Sequence, residues 1–309
     1  MQSSVEIIPS VQTSLPILPI DSTMSGAFSR NAICMPKQFF LPGQVLDGMY
    51  EIRRLIGRGG MGEVYEARDR VLSRVVAIKV AKRDCEMGSL IREARAMAKL
   101  RGQGVPNVFA MGTFRGHEYC VMERVYGTTL SRQIRGRLPE TFSVTEVMHI
   151  LEGAAEALSS VHRAGMIHRD LKPSNIMLAP KQRVVLIDFG LFRSEGSLWA
   201  ESEIWGSPRY IAPETITHQI KLGQEHLIDI YALGVIGFCM LVGCPPFNSK
   251  SVSRILSKHV EQRPPRISYI RPDVPEALDR LVLSMLSKDP SDRPRTAEEI
   301  VAHLRAMAS

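Results

Sequence analysis

The hydrophobic pattern of this chain changes period once, and that change restricts the fold more than any single motif does. Between Met49 and Glu123 the apolar residues alternate. The segments "MYEIRRLIG", "GEVYEARD", "SRVVAIKVAK", "PNVFAMGTF" and "HEYCVMERV" carry the period of two of half-buried strands, the last two joined at Arg115-Gly116. One interruption, "SLIREARAMAKL", spaces Leu90, Ile91, Ala94, Met97 and Ala98 for one face of a helix. Beyond Gly127 the spacing turns helical. In "SVTEVMHILEGAAEALSSVHRAG" Val144, Val147, Met148, Leu151, Ala155 and Leu158 recur on one face, with Ser143 placed to cap the start and Gly165 to stop the end. Two short strand-like pieces follow, "NIMLA" and "RVVLID", and then helices divided by Pro-rich loops. Strands with one helix, followed by a mostly helical remainder, do not make the regular alternation of a parallel α/β sheet. The pattern predicts an α+β fold in two lobes.

A second constraint is "IYALGVIGFCMLVGC", residues 230–244. It is apolar on every face but shorter than the ~18–20 residues of a membrane span. With Asp229 before it and "PPF" after it, it reads as a helix buried in a large core, which 309 residues suffice to build. No membrane span is expected. Residues 1–44 are rich in Ser, Pro and Thr without sustained periodicity. They are expected to form a disordered or loosely attached extension, and their start lacks the basic region of a secretory signal. Ordered structure is expected from near Met49. Five cysteines without a C-x-x-C pair give neither a disulfide framework nor a zinc site, so a reducing, cytoplasmic location is the simplest fit. The net charge of +7 is spread among acidic residues, with no aromatic-interleaved basic run, and nucleic acid is not an expected partner.

Gly57, Gly59 and Gly62 spell G-x-G-x-x-G in "LIGRGGMGEVYEARD". Alone the triplet permits a dinucleotide-binding turn, a flap over nucleotide phosphates, or a turn with no ligand. A dinucleotide turn runs straight into a helix and carries an acidic residue about 20 positions on. Here a strand pattern follows, and the position is held by Lys79 within "VVAIKV". Two strands joined by a flexible flap fit better, with Val64 placed to cover a base. Lys79 by itself is better explained as an edge-strand lysine.

Lys79 gains meaning from "HRDLKPSN", residues 168–175, and "IDFG", residues 187–190. The ordered set "GRGGMGEV", "VAIK", "HRDLKPSN", "DFG" and "APE" resembles the eukaryotic-like (Hanks-type) serine/threonine protein kinases, bacterial type, over about residues 49–306. The resemblance implies a bilobal kinase fold with a strand-rich N-lobe over 49–125 and a helical C-lobe over 126–309. It implies ATP and Mg²⁺ as cofactors, with Mn²⁺ as a substitute, and protein substrates. Lys79 would hold the α- and β-phosphates, aimed by Glu93. Glu86 competes for that role, but it lies only 7 residues past Lys79, before the helix settles. The interval of 14 to Glu93 is short for the family and implies a trimmed loop. Asp170 would accept the substrate hydroxyl proton or orient that hydroxyl, and Lys172 would neutralise the γ-phosphate. Asn175 and Asp188 would hold Mg²⁺. His168 would be scaffold. Gly57, Gly59 and Gly62 would cover the phosphates, with Met61 at the tip. Ile56, Val64, Ala77 and Met177 would line the adenine site, Glu123 and Val125 would form the hinge, and Met122 would control access to the rear.

Lys172 and "GSPRYIAPE" resemble the Ser/Thr-specific form, with Ser207 where the family usually has Thr. Glu214 would pair with Arg293, and Asp229 would brace the catalytic loop. Ile228 replaces the usual small polar residue before it. Arg169 implies tuning by phosphate, with Ser194, Ser197 and Ser202 as activation-segment candidates, the last flanked by Glu201 and Glu203. Two rival readings are a binding scaffold without turnover, disfavoured by the presence of Lys79, Asp170, Asn175 and Asp188, and a small-molecule kinase, disfavoured by the peptide-docking loop. The chain is expected to act as a monomer or a regulatory homodimer and to receive its input through the extension, a partner or dimer contacts.

Overall fold

The computed structural model describes residues 38–59, 62–82, 89–100, 104–138, 140–188, 193–194 and 206–308. Glu86, Met61, Ser197, Glu201, Ser202 and Glu203 lie outside them.

The alternating segments pair as expected. Strands β1 (Val45–Leu46), β2 (Tyr50–Arg58), β3 (Gly62–Asp69) and β4 (Arg74–Ala81) precede helix α1 (Ser89–Met97), and β5 (Val108–Phe114) and β6 (His117–Glu123) follow it. They form an antiparallel sheet in the order β1-β2-β3-β4-β6-β5. The turn from β5 to β6 sets Arg115 at φ +52° and Gly116 at φ +79°. Two successive left-handed residues match the twist of a tight hairpin.

One face of this sheet carries Tyr65, Ala67, Val76, Ile78, Val80, Tyr119 and Val121, all buried together. The other carries Val64, Lys79 and Cys120, which are cross-strand partners, and Ala77 and Met122, which are partners as well. Period two thus sends the aliphatic set to a core and Lys79 to the opposite side. Leu90 and Ala94 of α1 pack on Cys120 there.

Packing starts earlier than the sequence suggests. Phe39 and Phe40 fall within the stretch expected to be loose, yet Phe40 is 1% exposed and joins the sheet core beside Tyr65 and Phe114. The Gly43 amide bonds to the Ile52 carbonyl at 2.8 Å, and β1 adds a strand ahead of Met49. Two aromatic rings anchor a segment too short to show a period.

The helical part opens with β7 (Thr128–Thr129), α2 (Leu130–Arg137) and α3 (Val144–Arg163). Ser143 caps α3 in a full capping box with Glu146, and Gly165 follows its end at φ +69°. Strands β8 (Met166–Ile167), β9 (Ile176–Leu178), β10 (Val184–Leu186) and β11 (Arg193–Ser194) lie beside it, β9 between β10 and β7, and β11 against β8. Then come α4 (Pro213–Ile216), α5 (Leu227–Val242), α6 (Val252–Glu261), α7 (Ile267–Ile270), α8 (Glu276–Met285) and α9 (Ala297–Ala308). The all-apolar stretch is α5, and every residue from Leu227 to Leu241 is buried. Gly243 ends it at φ +84°, its amide on the Cys239 carbonyl. No helix among the described residues is long and apolar enough to cross a membrane. The result is the bilobal α+β architecture, and the Lys79 face of the sheet looks onto a cleft above the segment from Asp170 to Asp188.

Candidate active site

The cleft has a volume of about 840 Å³. Ile56, Gly57, Gly59, Gly62, Val64, Ala77, Met122, Glu123, Val125 and Met177 all line it, as do Lys79, Glu93, Asp170, Lys172, Asn175 and Asp188. The three glycines are not equivalent. A Cβ on Gly62 would sit 1.9 Å from the Val80 carbonyl oxygen of the neighbouring strand. A Cβ on Gly59 would meet nothing within 4 Å, and on Gly57 only ordinary contact with Val64. Gly62 is required by the sheet itself, while the other two leave the backbone open toward the cavity.

Lys79 is 8% exposed, and its ammonium reaches three carboxylate oxygens: Glu93 Oε1 at 2.7 Å, Glu93 Oε2 at 2.9 Å and Asp188 Oδ1 at 2.9 Å. Burial opposes its charge, but Glu93 and Asp188 outweigh burial and raise its pKa. Burial likewise opposes the charge of Asp188, and Lys79 prevails and lowers its pKa. The 14-residue interval to Glu93 is therefore long enough, because α1 turns Glu93 inward from its first turns.

Asp170 sits in the loop after β8. Its Oδ1 accepts from the Ser207 hydroxyl at 3.0 Å, and its Oδ2 is paired with Lys172. The Asn175 side-chain amide donates to the Asp170 carbonyl at 2.9 Å, which turns its Oδ1 elsewhere. Asn175 ends a short 3-10 turn begun by Pro173, and the Ile187 amide bonds to its carbonyl at 2.8 Å, placing Asp188 beside it. Asn175 Oδ1 and the Asp188 carboxylate are oxygen donors, and the Asp188 side chain is 48% exposed on the cleft side. That set suits a hard divalent cation.

Arg169 at φ +66° and Asp188 at φ +64° are both left-handed, an uncommon state for residues with a side chain. Arg169 is held there by Asp229. This carboxylate, at the start of α5, accepts from the His168 amide at 2.8 Å, the Arg169 amide at 2.9 Å and His162 Nε2 at 2.9 Å. Surrounding structure over-determines the strained turn, as it must for strain to persist. His168 is fully buried. Ile228 is buried too and lines a small recess with Asp170 and Ser207. Glu214 and Arg293 meet in a two-pronged pair at 2.6 and 2.8 Å. The backbone of Ser194 pairs with Met166 across β11 and β8.

Several cleft residues escaped the sequence reading. Thr128, Thr129 and Arg132 line its outer end. Thr129 caps α2, a signal visible in a hydroxyl residue just before a helical pattern. Arg183 pairs with Glu123, which also accepts from the Asn107 amide at 3.2 Å. Nothing local in the sequence links positions 60 residues apart. His162, which meets Asp229, carries no sequence signal beyond its place in a helix.

Residues 50–304 match the protein kinase domain model, and the chain belongs to that family. It is similar to the probable serine/threonine-protein kinase PknB of Lactococcus lactis, 34% identical over 275 residues, which is 86% of this chain and 43% of that protein. It is similar to the serine/threonine-protein kinase pkn3 of Myxococcus xanthus, 34% identical over 86% of this chain and 51% of that protein. With the serine/threonine-protein kinase PrkC of Bacillus subtilis it shares 32% identity over 86% of this chain and 41% of that protein. The chain spans about half the length of these relatives or less.

Proposed function

We propose that this chain is an ATP-dependent serine/threonine protein kinase that transfers the γ-phosphoryl group of Mg-ATP to Ser or Thr hydroxyls of proteins. The observation that carries the proposal is the convergence of Glu93 and Asp188 on Lys79 across one cleft from Asp170 and its Ser207 and Lys172 partners. Phosphoryl transfer asks for position and charge rather than covalent participation by the protein.

Lys79, aimed by Glu93, holds the α- and β-phosphates. Ile56, Val64, Ala77 and Met177 enclose the adenine, and the backbone of Glu123 and Val125 pairs with its edge. Asp170 orients the attacking hydroxyl and takes its proton, with Ser207 holding the carboxylate in register. Lys172 meets the charge that develops on the transferred group. Asn175 and Asp188 would hold Mg²⁺, which supplies neutralisation of the phosphate charge. Asp188 would exchange its bond to Lys79 for that role.

The test is phosphate transfer from Mg-ATP to a protein substrate, with Asp170→Asn beside the wild type. Loss of about 10²–10⁴-fold in kcat with an unchanged melting temperature is expected, from removing a general base. Equal turnover in the two proteins would sink the proposal. The activation segment autophosphorylates on serine, with Ser202 favoured over Ser194 and Ser197. Intact-mass spectrometry after incubation with Mg-ATP reads this as added phosphate, absent in Asp170→Asn. An unchanged mass beside an active enzyme overturns it.

A further inference from the structure

The glycine turn between β2 and β3 is tied to residues well outside it. Glu63, the second residue of β3, is 3% exposed. One oxygen of its carboxylate accepts from Arg58 Nε at 2.8 Å, and Arg58 is the last residue of β2, directly across the ladder. The other oxygen accepts from the Phe39 amide at 3.0 Å and from the Tyr65 hydroxyl. The Tyr65 hydroxyl in turn accepts from the Phe40 amide at 3.0 Å. The ring of Phe40 is locked in the sheet core against Tyr65 and Phe114. A buried carboxylate is stable only when its oxygens are satisfied, and here a residue 24 positions upstream supplies one of the donors.

Arg58, Gly59 and Gly62 face the cleft, while Glu63 stands behind them. The Gly59 amide bonds to the Gly62 carbonyl at 2.9 Å, so the base of the turn is set by where β3 begins. Burial opposes the charge of Glu63, but hydrogen bonds from Tyr65, the Phe39 amide and Arg58 prevail and lower its pKa. The carboxylate is thus ionised at neutral pH and holds all its donors.

We propose that Glu63 is a positioning residue for ATP: the segment at Phe39 and Phe40 braces the base of the glycine turn through it, so that residues ahead of the kinase lobes set nucleotide affinity. The proposal rests on the kinase reading above. It deepens that reading by assigning Phe39 and Phe40 a role in the site.

The experiment uses the full chain with Glu63→Gln, Phe39→Pro, the double variant, and Ile52→Val as a control. Glu63→Gln keeps the shape but not the charge. Phe39→Pro deletes the amide donor. Ile52→Val loosens the same sheet core without touching the turn. The expected result is a KM for ATP raised about tenfold in each of the first two, the ratio that loss of one charged hydrogen bond gives. The double variant should be no worse than the worse single, and kcat and the KM for peptide should hold within about twofold, because the chemistry is untouched. An unchanged KM for ATP, an equal rise in Ile52→Val, or effects that multiply in the double variant would overturn the proposal. If the wild type transfers no phosphate, the kinase reading fails, and the brace is read separately. Hydrogen exchange at the Gly59 amide should then be about tenfold faster in Phe39→Pro than in wild type without nucleotide, and no change there overturns the brace as well.

Discussion

Each lobe buries a cation against a carboxylate, and the two pairs are built differently. In the helical lobe Arg293 has no exposed side chain. Two of its bonds go to Glu214, and the rest go to the carbonyls of Ser287, Leu227 and Lys288. Every direction of its planar fork is used, so nothing is left over for a ligand. In the strand lobe Lys79 also spends its bonds on carboxylates, but two different ones, and one of them belongs to Asp188, half exposed on the cleft. The first pair is closed. The second can exchange a partner without unfolding anything, which a site that alternates between empty and loaded needs.

The largest effect that can break this comparison is on activity. Lys79→Met should lower kcat/KM for ATP-dependent transfer by about 10²–10³-fold, the loss typical of a removed charge-stabilising donor. The melting temperature should fall little, because Glu93 lines the cleft and water can reach its carboxylate once the lysine is gone. Arg293→Leu should do the reverse. Breaking a buried pair by removing one partner costs about 3–5 kcal/mol, which for a domain of this size lowers the melting temperature by on the order of 10 °C. The molecules still folded at low temperature should keep near-normal turnover. Thermal melts and initial rates on the two variants check both halves. If Arg293→Leu were inactive but fully stable, or Lys79→Met unfolded, the assignment of one pair to scaffold and the other to the site would be reversed.

The sequence made these two pairs legible to different degrees for physical reasons. Glu93 could be chosen because a helix repeats every 3.6 residues, and the apolar positions Leu90, Ala94 and Met97 fix which face α1 buries. Alternation along β4 puts Ala77 and Lys79 on one side of the sheet, but the adenine role of Ala77 rests on the family resemblance, and Val64 joins them only through the pairing of β3 with β4. The contacts that escaped are those with no period to announce them. Phe39 and Phe40 are two residues, too few to alternate. The link between Arg183 and Glu123 joins loops that only the fold brings together. The motif glycines were legible as a set, but their different duties were not. That Gly62 lies against the Val80 carbonyl depends on strand register, which the letters G-x-G-x-x-G do not encode.

A smaller effect sharpens the comparison by locating acid sensitivity. The closed pair extends inward: the Arg293 guanidinium lies 4.8 Å over the ring of Tyr231, whose hydroxyl bonds to His259 Nδ1 at 2.8 Å. His259 is fully buried, with Phe247 edge-on at 5.0 Å and the Lys288 ammonium bonded to its backbone carbonyl at 2.6 Å. Burial first, and then Lys288, lowers its pKa from 6.5 to about 4. The unfolded chain therefore takes up a proton below pH 6.5, and the folded chain does not until about pH 4. Stability from this residue is complete above the upper value and drains away as the pH falls toward the lower one. The cleft behaves oppositely, since the depressed Asp188 and the raised Lys79 keep their charges through that window. Acid should loosen the helical lobe before it discharges the site. Melting curves between pH 7 and 4 should fall steeply for the wild type and less steeply for His259→Gln, whose amide carries no proton to gain. Parallel curves for the two proteins would move the acid sensitivity to another group and leave the closed pair without its titrating neighbour.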